Sequence, residues 1–138
     1  MAELNTAVRS ASHERIVSLW VEAFNARDLS GMLVCLARDV ALHPVKLSGL
    51  EACYRGHDGV RCWFAQLQRQ RYSYTISLSD VYGLGDGSVF ATGSLSLPED
   101  PNITPFCALH RVLDGLTISA HHYLTDPEMI EQLGLLRQ

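Results

Sequence analysis

Residues 104–124 read TPFCALHRVLDGLTISAHHYL, and the fold turns on how this stretch pairs with itself. Apolar residues recur at every second position on both sides of Asp114-Gly115. That dipeptide is a strong signal for a tight turn between antiparallel strands. Taken as a three-residue loop with Gly115 in the left-handed conformation, Leu113-Asp114-Gly115 sets Val112 opposite Leu116. Phe106, Ala108, His110 and Val112 then share a face with Leu116, Ile118, Ala120, His122 and Leu124. The face is apolar apart from two imidazoles. A two-residue loop would slip the register and carry His110 to the face opposite His122.

Upstream, Tyr72, Tyr74, Ile76 and Leu78 alternate with Ser73, Thr75, Ser77 and Ser79, the period of a strand. Asp80 falls in phase with that apolar face, unless the strand bulges near Tyr82-Gly83. Gly85-Asp86-Gly87 is a turn, 88–97 a strand and 98–102 a loop. The first half is helical. Ser12 is a candidate N-cap for a helix whose Ile16, Leu19, Trp20, Ala23 and Phe24 form one stripe. Asp28 caps a short second helix carrying Met32, Leu33 and Leu36. Asp39–Val45 switches to a strand in which Pro44 marks an edge or the end, with a further short strand near 52–55. Gly56 opens a third helix bearing Val60, Trp63, Phe64 and Leu67. Asp126 and Pro127 start a C-terminal helix. Helices first and antiparallel strands after predict an α+β domain with a curved sheet, and disfavour a doubly wound one.

The chain has 138 residues, which suits one domain (1–138, with 1–11 a loose leader). Hydrophobic residues make up 47% and charged residues 19%, too apolar for disorder. A net charge of −4 without a run of Lys or Arg argues against nucleic acid as a partner. No apolar run is long enough for a membrane span or a signal peptide. Cys35, Cys53, Cys62 and Cys107 form no CxxC pair, which predicts reduced thiols and a cytoplasmic protein. No histidine or cysteine spacing points to a metal, and no motif points to a cofactor. There is no GxSxG elbow, Walker loop or HExxH, and Gly83-Leu84-Gly85 precedes a turn, not a helix.

Three stretches, WVEAFNARDLSGMLVCLARDVALHP, YRGHDGVRCWFAQL and LDG…HHYLTDPEMIEQLGL, carry a resemblance to the SnoaL-like branch of the nuclear-transport-factor-2-like superfamily. That superfamily includes ketosteroid isomerases and polyketide cyclases. The resemblance implies a cystatin-like cone, a pocket between the concave sheet face and the first helices, and a homodimer formed through the sheet. It does not imply one reaction, because the fold hosts many. The isomerase Tyr–Asp–Asp set is not retained: the matching positions read Trp20, His43-Pro44, and Ala108 or Leu109. The Asp–Arg–Asp set of limonene epoxide hydrolases finds no clear match.

With the carboxylates missing, the histidines are the candidates for proton exchange near neutral pH. His122 and His110 are the expected catalytic pair, acting on a small apolar molecule that bears a carbonyl. Trp20, Tyr54, His43, Trp63, Phe106 and Ala120 are the expected pocket residues. Trp20 has an indole N–H to donate but no proton to exchange, and Tyr54 has a phenol for a carbonyl. His121 points away from His122 and meets solvent or a dimer partner. A non-catalytic ligand-binding or accessory domain is the other reading.

Overall fold

The computed structural model describes residues 2–98 and 100–124, with side chains from residue 12 onward except those of 100 and 101. The elements run α1 (Ala2–Asn25), α2 (Leu29–Leu33), β1 (Leu36–His43), β2 (Tyr54–Arg55), α3 (Gly56–Arg69), β3 (Thr75–Gly83), β4 (Ser88–Leu97), β5 (Asp100–Leu113) and β6 (Leu116–Tyr123). The six strands form one sheet ordered β2-β1-β6-β5-β4-β3. Only β1 and β6 run parallel; the other neighbours are antiparallel. Helices α1 and α3 cover one face, and the core lies between them and the sheet. This is the expected α+β architecture.

Two expectations about α1 are corrected. Residues 2–11, expected as a loose leader, continue the helix, so Ser12 is not its cap. The stretch contains no Gly or Pro, so nothing in it breaks a helix. The stripe that enters the core is Val17, Trp20, Val21 and Phe24, while Leu19 is 38% exposed. The i, i+3, i+4, i+7 spacing holds, but one residue away from the expected face. Helix α2 is capped as read: the Asp28 carboxylate accepts from the Gly31 N–H at 3.0 Å. The C-terminal helix expected from Asp126 lies outside the described residues.

The decisive hairpin has a two-residue turn. Asp114 and Gly115 both take positive φ, 53° and 78°, and Leu113 pairs with Leu116. By itself this would separate His110 from His122. A bulge repairs the phase: Arg111 pairs with Ser119 and Val112 with Thr117, so Ile118 is an extra residue. Thr117, rather than Leu116 or Ile118, turns inward and is fully buried. Leu124, expected inside, is 38% exposed. Beyond the bulge Ala108, His110, Ala120 and His122 share the concave face, as expected. A second bulge between Leu78 and Asp80 leaves Asp80 exposed and removes it as a buried base. Such bulges bend the strands and give the sheet its curvature. Strand β5 begins at Asp100, so the expected loop over 98–102 is shorter.

Candidate functional site

His110 on β5 and His122 on β6 are brought together by the cross-strand register as diagonal neighbours, since His110 pairs with Ala120 and Ala108 with His122. Their Nε2 atoms lie 3.1 Å apart, a hydrogen bond between two imidazoles, and the rings stack with centroids 5.2 Å apart. His110 is 1% exposed and His122 6%. Trp20 of α1 sets an edge-on contact against both, at 5.9 Å to His110 and 5.1 Å to His122. Phe106 closes the other side, 5.4 Å from His122. Burial pushes the His110 pKa down to about 4, helped by His121. Burial and the neighbouring His110 hold His122 well below the ordinary imidazole value. Both rings are therefore neutral at physiological pH, and the shared Nε2 contact carries one proton.

Three more polar atoms in this interior have no hydrogen-bond partner among the described residues: Trp20 Nε1, Trp63 Nε1 and His110 Nδ1. Thr117 Oγ1 is a fourth, deeper along β6. Trp20, Phe24 and Trp63 stack on one another with centroids 5.6–6.2 Å apart and fill the space beneath α1 and α3. Phe106 and Ala120 are likewise buried and wall the histidine pair rather than an open chamber, and Trp63 is buried in the stack behind Trp20.

Open space lies instead at the end of β1 and β6. A cleft of about 490 Å³ is lined by His43, Pro44, Lys46, Ala52, His121 and His122, with Tyr123 and Leu124 at its side. His43 and His121 are register partners in the parallel pair, and their rings stack at 4.0 Å. His43 Nε2 also lies 3.8 Å from Cys53 Sγ. His43 is thus a cleft residue, but it faces away from the His110–His122 pair, since its neighbour Leu42 points into the core. Tyr54 is not at the mouth. It is 3% exposed, and its hydroxyl accepts from the Glu51 N–H at 2.8 Å and donates to Gln66 Oε1, so it ties β2 to α3.

The part of His121 in the cleft was not legible from spacing. It depends on β1 lying parallel to β6, a pairing between segments some eighty residues apart that no local pattern encodes. Among the described residues no group of three His, Cys, Asp or Glu is placed to hold a metal ion. No disulfide joins the cysteines. No helix among the described residues is long and apolar enough to cross a membrane.

Comparison with known proteins gives one family match, to the SnoaL-like domain over residues 17–121. Solved structures with the same fold include an NTF2-like protein of unknown function from Burkholderia pseudomallei, 21% identical, with a TM-score of 0.69 over 87% of this chain and 95% of that one. TerC co-crystallised with polyporic acid is 17% identical, with a TM-score of 0.71 over 92% and 99%. An LEH-like epoxide hydrolase of M. tuberculosis is 19% identical, with a TM-score of 0.62 over 94% and 92%. A search of functionally described proteins returns no match.

Proposed function

The chain belongs to the SnoaL-like domain family, and from that premise we propose that it binds a small, apolar, carbonyl-bearing molecule at the cleft and acts on it through His122, backed by His110. The observation that carries the reading is the buried Nε2–Nε2 hydrogen bond. The reaction class is acid–base isomerisation, cyclisation or hydration. The fold it shares with TerC, crystallised with polyporic acid, and with an epoxide hydrolase supports small-molecule handling in general.

The two imidazoles have unequal parts. His110 Nδ1 is sealed without a partner. Buried N–H groups with no acceptor are rarer than buried acceptors with no donor. His110 therefore keeps its proton on Nε2 and donates it to His122 Nε2. The proton of His122 then sits on Nδ1, making this ring a neutral hydrogen-bond donor. Its depressed pKa makes it a poor base and suits this part. A neutral imidazole donor polarises a carbonyl and stabilises the negative charge that develops on its oxygen, at no cost of a buried cation. Trp20, buried edge-on against the His122 ring, holds it in place from the core side. Pro44, Ala52 and Leu124 give the cleft its apolar wall, and Phe106 and Ala120 back the histidine pair from the core. The working unit in this reading is a homodimer joined through the outer sheet face.

The test is a thermal-shift screen of hydrophobic ketones and lactones against the wild type and His122→Ala, followed by product analysis of any stabilising compound. The reading expects stabilisation of the wild type and turnover that falls about 10²- to 10³-fold in His122→Ala, the usual cost of one oxyanion donor. No stabilisation in either protein overturns it. Stabilisation without turnover favours the second reading, a non-catalytic ligand-binding or accessory domain, which the filling of the interior by buried Trp20 and Phe106 supports.

A further inference from the structure

Three of the eleven basic residues meet at one place that the sequence keeps apart. Arg38 of β1, Arg55 of β2 and Arg61 of α3 line a cleft of about 310 Å³, together with Gly56, His57 and Asp58. The fold brings them together by pairing Ala41 with Arg55 and by turning straight from β2 into α3 at Gly56, whose φ is +72°. All three arginines are exposed. Among the described residues the only ion pair is Arg61 Nη1 to Asp58 Oδ1 at 2.7 Å. Among the described residues Arg38 and Arg55 have no carboxylate partner, so the cleft holds a local excess of positive charge on a chain whose net charge is −4. The His57 ring is fixed beside them, its Nε2 donating to the Leu36 carbonyl at 2.9 Å.

We propose that this cleft binds a phosphate group, either the free dianion or the monoester of a small molecule. Three guanidinium groups against one carboxylate leave an excess that matches a dianion better than a single carboxylate. Planar N–H forks pair well with the several oxygens of a tetrahedral phosphate. The first turn of α3 adds to the same field, since Arg55 provides no side-chain cap for its N–H groups. The arginines carry the site and the helix end assists. A nucleic-acid strand is disfavoured by the net charge of −4. The site is separate from His122: none of its lining residues lines the other cleft.

The experiment is isothermal titration calorimetry on the full chain with inorganic phosphate and with phenyl phosphate, at one ionic strength set by sodium chloride. Wild type, Arg38→Gln/Arg55→Gln, Arg61→Gln and Arg69→Gln are compared. Arg69 is exposed at the far end of α3 and serves as the charge control. The proposal expects saturable binding, weakened at least about tenfold by the double substitution and by less than about twofold in Arg69→Gln. If the double variant does not fold, Arg61→Gln decides on the same criterion. Tighter binding of phenyl phosphate assigns the ester as ligand, and equal binding assigns the free ion. An unsaturable response, or equal weakening in Arg69→Gln, overturns the proposal.

Discussion

His110 and His122 cannot be protonated without placing a cation under Trp20, and this makes the protein acid-sensitive. In the unfolded chain each imidazole takes up a proton near pH 6.5, whereas folded His110 resists until about pH 4. Below 6.5 the unfolded state therefore binds more protons than the folded one, and stability falls as pH falls. For His110 the loss is complete near pH 4 and amounts to roughly 3 kcal/mol. Urea midpoints measured at about pH 7 and about pH 5 should drop in the wild type and drop by less in His110→Gln, where the part due to buried His122 remains. An identical drop in both would mean that the pair is not buried as neutral rings. The packing around the pair carries a second prediction. Trp20→Ala removes a fully buried ring from between α1 and the two histidines and should cost about 3–5 kcal/mol in the same assay.

At the scale of elements, the sheet is held to its helices by a few polar clamps. The Asn25 amide at the end of α1 donates to the Ile76 carbonyl at 2.8 Å and accepts from the Ile76 N–H at 2.9 Å, which is what a neighbouring strand would do for the edge strand β3. Asn25→Ala leaves both groups of Ile76 without these partners and should lower unfolding free energy by about 1–3 kcal/mol by chemical denaturation. Asn25→Asp loses the donor as well and should not rescue it. Gly93 is the second fixed point. A Cβ there would sit 2.0 Å from the Ser77 carbonyl oxygen across the β3–β4 pair, so Gly93→Ala must push the two strands apart. Much of this layer was readable beforehand. The Asp28 cap, the β4 limits and the α3 stripe follow from residue chemistry within a few positions. The hairpin shows what was not. Asp114-Gly115 marked the turn but not its length, and the shared face of His110 and His122 survives only because Ile118 bulges out. A bulge is a compromise between two strands and the core they cover, and no window on one strand contains that information. The arginine cleft was hidden for the same reason: Arg38, Arg55 and Arg61 become neighbours only through the β1–β2 pairing.

At the scale of the whole molecule, the two faces of the sheet are unlike. The concave face is covered by α1 and α3. On the outer face Phe90 and Cys107 are fully buried beneath partly buried Leu109 and Tyr123, and Tyr82, packed on Phe90, is 42% exposed. No described helix covers this cluster. A sheet face of this composition is suited to a twofold contact, in which the same patch serves both copies. Leu109 sits at its centre, opposite Phe90 on β4 and His121 on β6. Size-exclusion chromatography with light scattering should therefore give twice the 15.3 kDa chain mass, and Leu109→Glu should return it to one chain mass with the far-ultraviolet circular dichroism unchanged. A wild-type protein that stays at one chain mass at high micromolar concentration would remove the dimer. It would leave the reading of His122 intact, because Trp20, Phe106 and His110 surround that ring from the opposite side of the sheet.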